Sequence, residues 1–203
     1  MRLFLGVLLG LTGLLCIGNL AASASPYSSQ TGSMASSQAV QSLERKLNHI
    51  QQNGALPKPD PTPTQITETE ANAYLASGRA HLPAGVQSVR LQGEPGVITA
   101  NCRVDFDQFK AGQHNSNPLL AIFSGVHDVV VVTHAHGAGH QGFVHADSVS
   151  VDGVEIPHFA LELFVEKYIQ PRYPGIGIDS QFALPAKIDT ATGGQHALTV
   201  TQR

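Results

Sequence analysis

The chain has 203 residues, 42% of them hydrophobic and only 13% charged, with a formal net charge of −3, two cysteines and no tryptophan. A slightly acidic, lightly charged chain offers no electrostatic reason to bind nucleic acid or anionic lipid headgroups. The length supports one sizeable core without covalent cross-links.

In chain order, the first element is a secretory signal. After Arg2, residues 3–20 are almost purely apolar, and Ala22-Ser23-Ala24 supplies the small residues that a signal peptidase accepts. Residues 1–24 are therefore expected to be removed, with export of the rest to the periplasm or the extracellular space. A retained anchor would need a charged stop after the apolar stretch. Lipidation at Cys16 would need a small residue where Leu15 stands. Loss of Cys16 leaves Cys102 without an internal partner, so no disulfide is expected.

Residues 25–65 form the next unit. Residues 25–37 are Ser-rich and read as a flexible start. Ala39, Leu43, Leu47 and Ile50 then recur at helical spacing and predict an amphipathic helix that ends near Asn53-Gly54, docked on the main body or paired with another helix. Pro57, Pro59, Pro61 and Pro63 make a stiff spacer, and the domain boundary is placed there.

Residues 66–203 form the main domain. Thr67 and Glu70 are spaced as a capping box, with Ile66 before them, Ala71, Tyr74 and Leu75 inside the helix and Gly78 as its stop. Strands are expected over 86–91 and 97–106, joined by a turn at Gly93-Glu94-Pro95-Gly96, with Cys102, Val104 and Phe106 on one side. A short helical turn and loop follow over 107–114. The run Val129 to Val132 predicts a strand apolar on both faces. Gly137-Ala138-Gly139 then allows reversal into a second strand over 140–151. Asp152-Gly153 turns the chain into a helix over 157–168, the most hydrophobic part of the mature sequence, carrying Phe159, Leu161, Leu163, Phe164, Val165, Tyr168 and Ile169. Such a helix must be wrapped by other structure or face an apolar ligand. Strands over 182–188 and 196–200 close the chain. The order predicts an α+β class with an antiparallel sheet.

The titratable groups suggest little catalysis. His134, His136, His140 and His145 fall within a dozen residues near the hairpin bend, with His127-Asp128 upstream. Two histidines one residue apart share a strand face, so His134, His136 and His140 are candidate metal ligands. Polar residues of a strand and turn facing solvent are the simpler explanation of them. No nucleophile elbow, phosphate loop or dinucleotide fingerprint occurs. Cys102 reads as structural. Glu162 and Glu166, one turn apart, mark the exposed edge of the last helix. No cofactor is expected.

The segments Ile66-Thr67-Glu68-Thr69-Glu70-Ala71-Asn72-Ala73-Tyr74-Leu75, Asp152-Gly153-Val154-Glu155-Ile156-Pro157 and Phe182-Ala183-Leu184-Pro185-Ala186-Lys187-Ile188 occur in that order. This pattern, spanning about 66–201, resembles bacterial envelope proteins of the TULIP-type lipid-binding fold, the LmeA-like and YceB-like families. The resemblance implies a curved antiparallel sheet wrapped around a long hydrophobic helix, with lipid held between them. The expected function is noncatalytic binding of a lipid or other hydrophobic molecule, with Tyr74, Leu75, Phe159, Leu163, Phe164 and Tyr168 lining the site and peripheral membrane contact allowed. The alternatives are a ligand-free structural module, whose N-terminal helix and spacer reach an envelope protein partner, and a histidine-hairpin metal protein.

Overall fold

The computed structural model describes residues 30–109, 123–171 and 173–203. The expected signal peptide and much of the loop before the long hairpin lie outside them. Helix α1 (Gln30–Ala55) leads into β1 (Thr64–Thr67) and α2 (Glu68–Ala76). There follow β2 (Val86–Glu94), β3 (Val97–Asp105), the single turn α3 (Phe106–Phe109), β4 (Val126–Ala138), β5 (Gln141–Val151) and β6 (Val154–Glu155). Helix α4 (His158–Phe164) continues as a π-turn (Val165–Ile169), and β7 (Asp179–Ala183), β8 (Ile188–Gly194) and β9 (Ala197–Gln202) end the chain.

All paired strands are antiparallel, as expected of an α+β chain. The thirteen-residue β4 is the axis of the sheet. One of its edges is paired along its length with β5, which also holds β6 and β7. Its other edge is shared in succession: β3 covers it from Val126 to His134, then β8 takes over at His136 and Gly137. The β2–β3 and β8–β9 hairpins therefore meet tip to tip beside β4. Backbone bonds seal the junction, with Gly96 N donating to Gly193 O at 3.2 Å, His196 N to Gly93 O at 2.9 Å and Ala135 N to Gly96 O at 3.1 Å.

One face of the sheet is covered by the helices. Val129, Thr133 and Ala135 of β4 point into it and are buried, while Asp128, His134 and His136 alternate onto the outer face and are exposed. Val130 and Val132 also lie on that outer face and are half-buried, so the valine run is apolar on both sides as expected. Under the inner face, α3, α4 and the π-turn pack on β3, β4 and β5 through Phe106, Phe123, Phe164 and Tyr168. Helix α2 packs Ala71 and Leu75 on β2 and β3. Helix α1 contributes Val40, Leu43, Leu47 and Ile50 to a cluster with Ile66, Tyr74, Ile188 and Val200.

The amphipathic helix thus docks on the main body. It is longer than its apolar stripe predicts, reaching back to Gln30 into the Ser-rich segment. The spacer after it is anchored as well: Asn53 exchanges hydrogen bonds with the backbone of Asp60 at 2.8 and 2.9 Å, and Lys187 Nζ donates to the carbonyls of Leu56 and Pro57. The strand expected over 182–188 is two strands. β7 pairs with β5 and β8 with β9, separated by a turn in which Pro185 cannot donate to a ladder and Ala186 and Lys187 both adopt φ 53°. At the long hairpin, Gly139 (φ 57°) and His140 (φ 64°) form a two-residue reversal between paired Ala138 and Gln141. Positive φ at both positions matches the right-handed strand twist, so His140 belongs to the turn and the second strand begins after it.

Candidate functional site

The six residues expected to line a ligand site are distributed over separate parts of the core. Tyr74 packs with Leu43, Ile188 and Val200 under α1. Leu75 packs with Val89, Leu91 and Ala100. Phe164 and Tyr168 are buried in the α4 cluster with Leu163 against them, whereas Phe159 on the opposite side of α4 is 54% exposed. Around α4 the space is filled by rings: Phe164 stacks on Phe123 at 4.3 Å between centroids, meets Phe106 edge-on at 5.6 Å and lies 5.3 Å from Tyr168. The two wider separations fall in the favourable range for aromatic pairs and the stacked pair is closer still, so ring packing accounts for the hydrophobicity of α4.

Open apolar space lies elsewhere, at the tip-to-tip hairpin junction. Ile66 from β1, Ala71 from α2, Leu91 and Ile98 from the first hairpin, and Ala197 and Leu198 from the last enclose a cleft of about 60 Å³. Gly93, Gly193 and Gly194 form part of its wall. At Gly93 and Gly193 the two hairpin tips approach closely, a Cβ at either lying 3.6 Å from a backbone carbonyl oxygen of the other hairpin. The capping box expected at α2 builds the rim: Thr67 Oγ1 accepts from Glu70 N at 3.2 Å, and Glu70 Oε2 accepts from Thr67 N at 2.8 Å. The next residue after the cap is Glu68. Its Oε2 accepts from Gly93 N at 3.0 Å and meets His196 Nδ1 at 2.7 Å, tying α2 to both hairpin tips. Burial pushes the Glu68 carboxyl up, but the hydrogen bonds from His196 and Gly93 outweigh it and hold it below its ordinary value. Asn72, one turn on, brackets Leu91 by accepting from its N at 2.7 Å and donating to its O at 2.8 Å, which satisfies the free edge of β2. The cleft is therefore rigid at its rim and apolar at its floor.

The candidate metal ligands do not converge. His134 meets Asp147 at 2.7 and 2.8 Å, His136 stacks on Phe143 at 5.0 Å, and His140 Nδ1 lies 2.9 Å from Ile188 O. Among the described residues, no three His, Cys, Asp or Glu side chains are grouped to hold a metal ion. Cys102 is half-buried against two core clusters, and burial pushes its thiol up to about 11, so it is held in the unreactive thiol form at neutral pH. Glu162 and Glu166 are both exposed, as their spacing on the last helix suggested. No described helix is long and apolar enough to cross a membrane.

Compared with protein-family models, with curated proteins and with solved structures, the chain matches none. In the sequence, Ile66, Ala71 and Leu91 are marked only by the helix and strand patterns they belong to. The cleft depends on two turns about a hundred positions apart lying end to end, and no local pattern in either turn carries that information.

Proposed function

We propose that this is a noncatalytic exported protein that binds a lipid or other hydrophobic ligand, and that the apolar end of the ligand enters the hairpin-junction cleft. The observation that carries the reading is an open apolar cleft with a polar rim in a molecule whose α4 core is already filled. The order of motifs similar to the TULIP-type envelope proteins supports the same ligand class and the finer picture of a curved sheet around α4. Size restricts what enters. A cleft of about 60 Å³ is far below the roughly 300–1,000 Å³ of sites that engulf a drug-sized molecule. It accepts the tip of an acyl or branched hydrocarbon chain, and the rest of the ligand stays outside. At about 0.8 kcal/mol per buried methylene, three or four methylenes contribute about 3 kcal/mol. This is weaker than a millimolar affinity, so the external part of the ligand supplies the remainder.

The test is displacement of a fluorescent fatty acid from protein purified without detergent, together with native mass spectrometry of the same sample. Ala197→Phe fills the cleft from a half-buried position on its wall and is expected to reduce probe binding at least about tenfold, equivalent to 1.4 kcal/mol. Phe159→Ala, on the exposed side of α4, should leave binding unchanged. Equal uptake by Ala197→Phe and the parent would place the ligand elsewhere.

A further inference from the structure

The outer face of the sheet, away from the helices, carries a row of register partners that the ligand reading does not use. Val97 on β3, His134 on β4, His145 on β5 and Asp179 on β7 lie side by side across four strands. Directly opposed residues in an antiparallel ladder have Cβ atoms about 4.5–5.5 Å apart. Two imidazoles in that relation can reach one ion at the usual metal–nitrogen distance of about 2.0–2.1 Å. Both rings are exposed, at 62% and 52% of their side-chain area.

The ring nitrogens are already differentiated. Nδ1 of His134 meets the two carboxylate oxygens of Asp147 at 2.8 and 2.7 Å, and Nδ1 of His145 meets Asp179 Oδ1 at 2.6 Å. A carboxylate on Nδ1 holds the proton there when the ring is neutral, leaving the lone pair on Nε2. The same pairing orients and strengthens histidine ligands in metal sites. Neither Nε2 has a protein partner among the described residues.

The position of Asp147 has a backbone cause. Val132 pairs with Ser148 and Thr133 with Ala146, so Asp147 is the extra residue of a β-bulge. Bulges re-aim a side chain out of the regular alternation, and this one places a carboxylate beside His134.

We infer that His134 and His145 form an open two-histidine site for a divalent transition-metal ion, with Asp147 and Asp179 holding the rings from behind. Imidazole donors select Cu²⁺, Ni²⁺ or Zn²⁺ over Mg²⁺ and Ca²⁺. The remaining coordination positions are open to water or to a donor from outside the chain, which suits capture and release of the ion and not a closed structural site. His136 and His140 are not required: the first is stacked on Phe143 and the second is turned to Ile188 O.

The test uses the full-length protein, without a polyhistidine tag, stripped with chelator and titrated with Cu²⁺ and with Zn²⁺. Calorimetry should show one saturable ion per chain, and electron paramagnetic resonance of the Cu²⁺ form should show two coordinated imidazole nitrogens. His134→Ala and His145→Ala should each weaken binding at least about tenfold, and Asp147→Asn and Asp179→Asn by about tenfold through the ring orientation. His140→Ala should bind as the parent does. His134→Gln and His145→Gln keep the side-chain bulk and replace the alanine variants if circular dichroism shows either of those unfolded. Unchanged affinity in the His134/His145 double variant, or no saturable binding by the parent, would overturn the site.

Discussion

Glu70 is where single-residue chemistry matters most in the body of the protein. Its carboxylate closes the α2 capping box and also receives Lys46 Nζ at 2.7 and 2.8 Å and Ser42 Oγ at 2.6 Å from α1. Burial pushes the carboxyl up, but the bonds from Lys46, Ser42 and Thr67 outweigh it and bring it from 4.5 down to about 2. A carboxyl lowered on folding contributes stability that is complete above its unfolded value and lost as pH falls through the folded one. Here the loss runs between about pH 4.5 and pH 2. Glu70→Gln keeps one acceptor but removes the charge, and is expected to cost about 1–3 kcal/mol at neutral pH. Urea unfolding at pH 7 and pH 3 checks it: the gap between parent and variant should shrink at the lower pH. The capping half of this arrangement was legible from Thr67 and Glu70 alone. The Lys46 half was not, because residues 24 apart are joined only by how α1 docks.

At the scale of elements, Gly54 sets how closely α1 approaches the turn before β8. A Cβ on Gly54 would lie 2.2 Å from the carbonyl oxygen of Ala186. In an unconstrained helix, replacing glycine by alanine stabilises by about 1 kcal/mol. Here Gly54→Ala should reverse the sign and destabilise by about 1–3 kcal/mol, because backbone must move. A melting temperature lower by about 2–4 °C per kcal/mol would register it; an unchanged or higher value would mean that the helix end yields freely. The sequence announced Gly54 as a helix end and could not announce its neighbour. Similar physics explains the other boundaries. Four-residue β1 carries too few positions for an alternation to be read, and it exists because Ile66 and Thr64 find Leu198 and Val200 on β9. The α4 apolar run was legible as buried, but its filling by Phe106 and Phe123 depends on segments distant in sequence. The tryptophan-free, low-charge composition gave no hint of the cleft.

At the scale of the molecule, α1 is a wall of the core. Leu43 and Ile50 are fully buried, and the Asn53 amide donates to Gln202 Oε1 at 2.9 Å while Gln202 donates to Ile50 O at 2.7 Å. Deleting residues 30–55 would uncover Ile66, Tyr74, Ile188 and Val200 together. Each such side chain contributes roughly 1.5–3 kcal/mol by its burial, against a whole-domain stability of about 5–15 kcal/mol. The truncated chain is expected to lose its cooperative unfolding transition and to bind a hydrophobic dye. A cooperative transition retained without α1 would instead make it a dispensable arm, free to reach a partner.

The pairing of β1 with β9 also has a kinetic consequence. Thr64 opposes Val200 and Thr67 opposes Ala197, so the ladder that completes this side of the sheet joins strands about 130 positions apart. Contacts of such long sequence separation are slow to form, because chain closure precedes their reward. During synthesis the strand at 64–67 therefore waits for its ladder partner until residues 197–200 have emerged. The topology therefore leaves this side of the sheet open for as long as the residues between the two strands are being made.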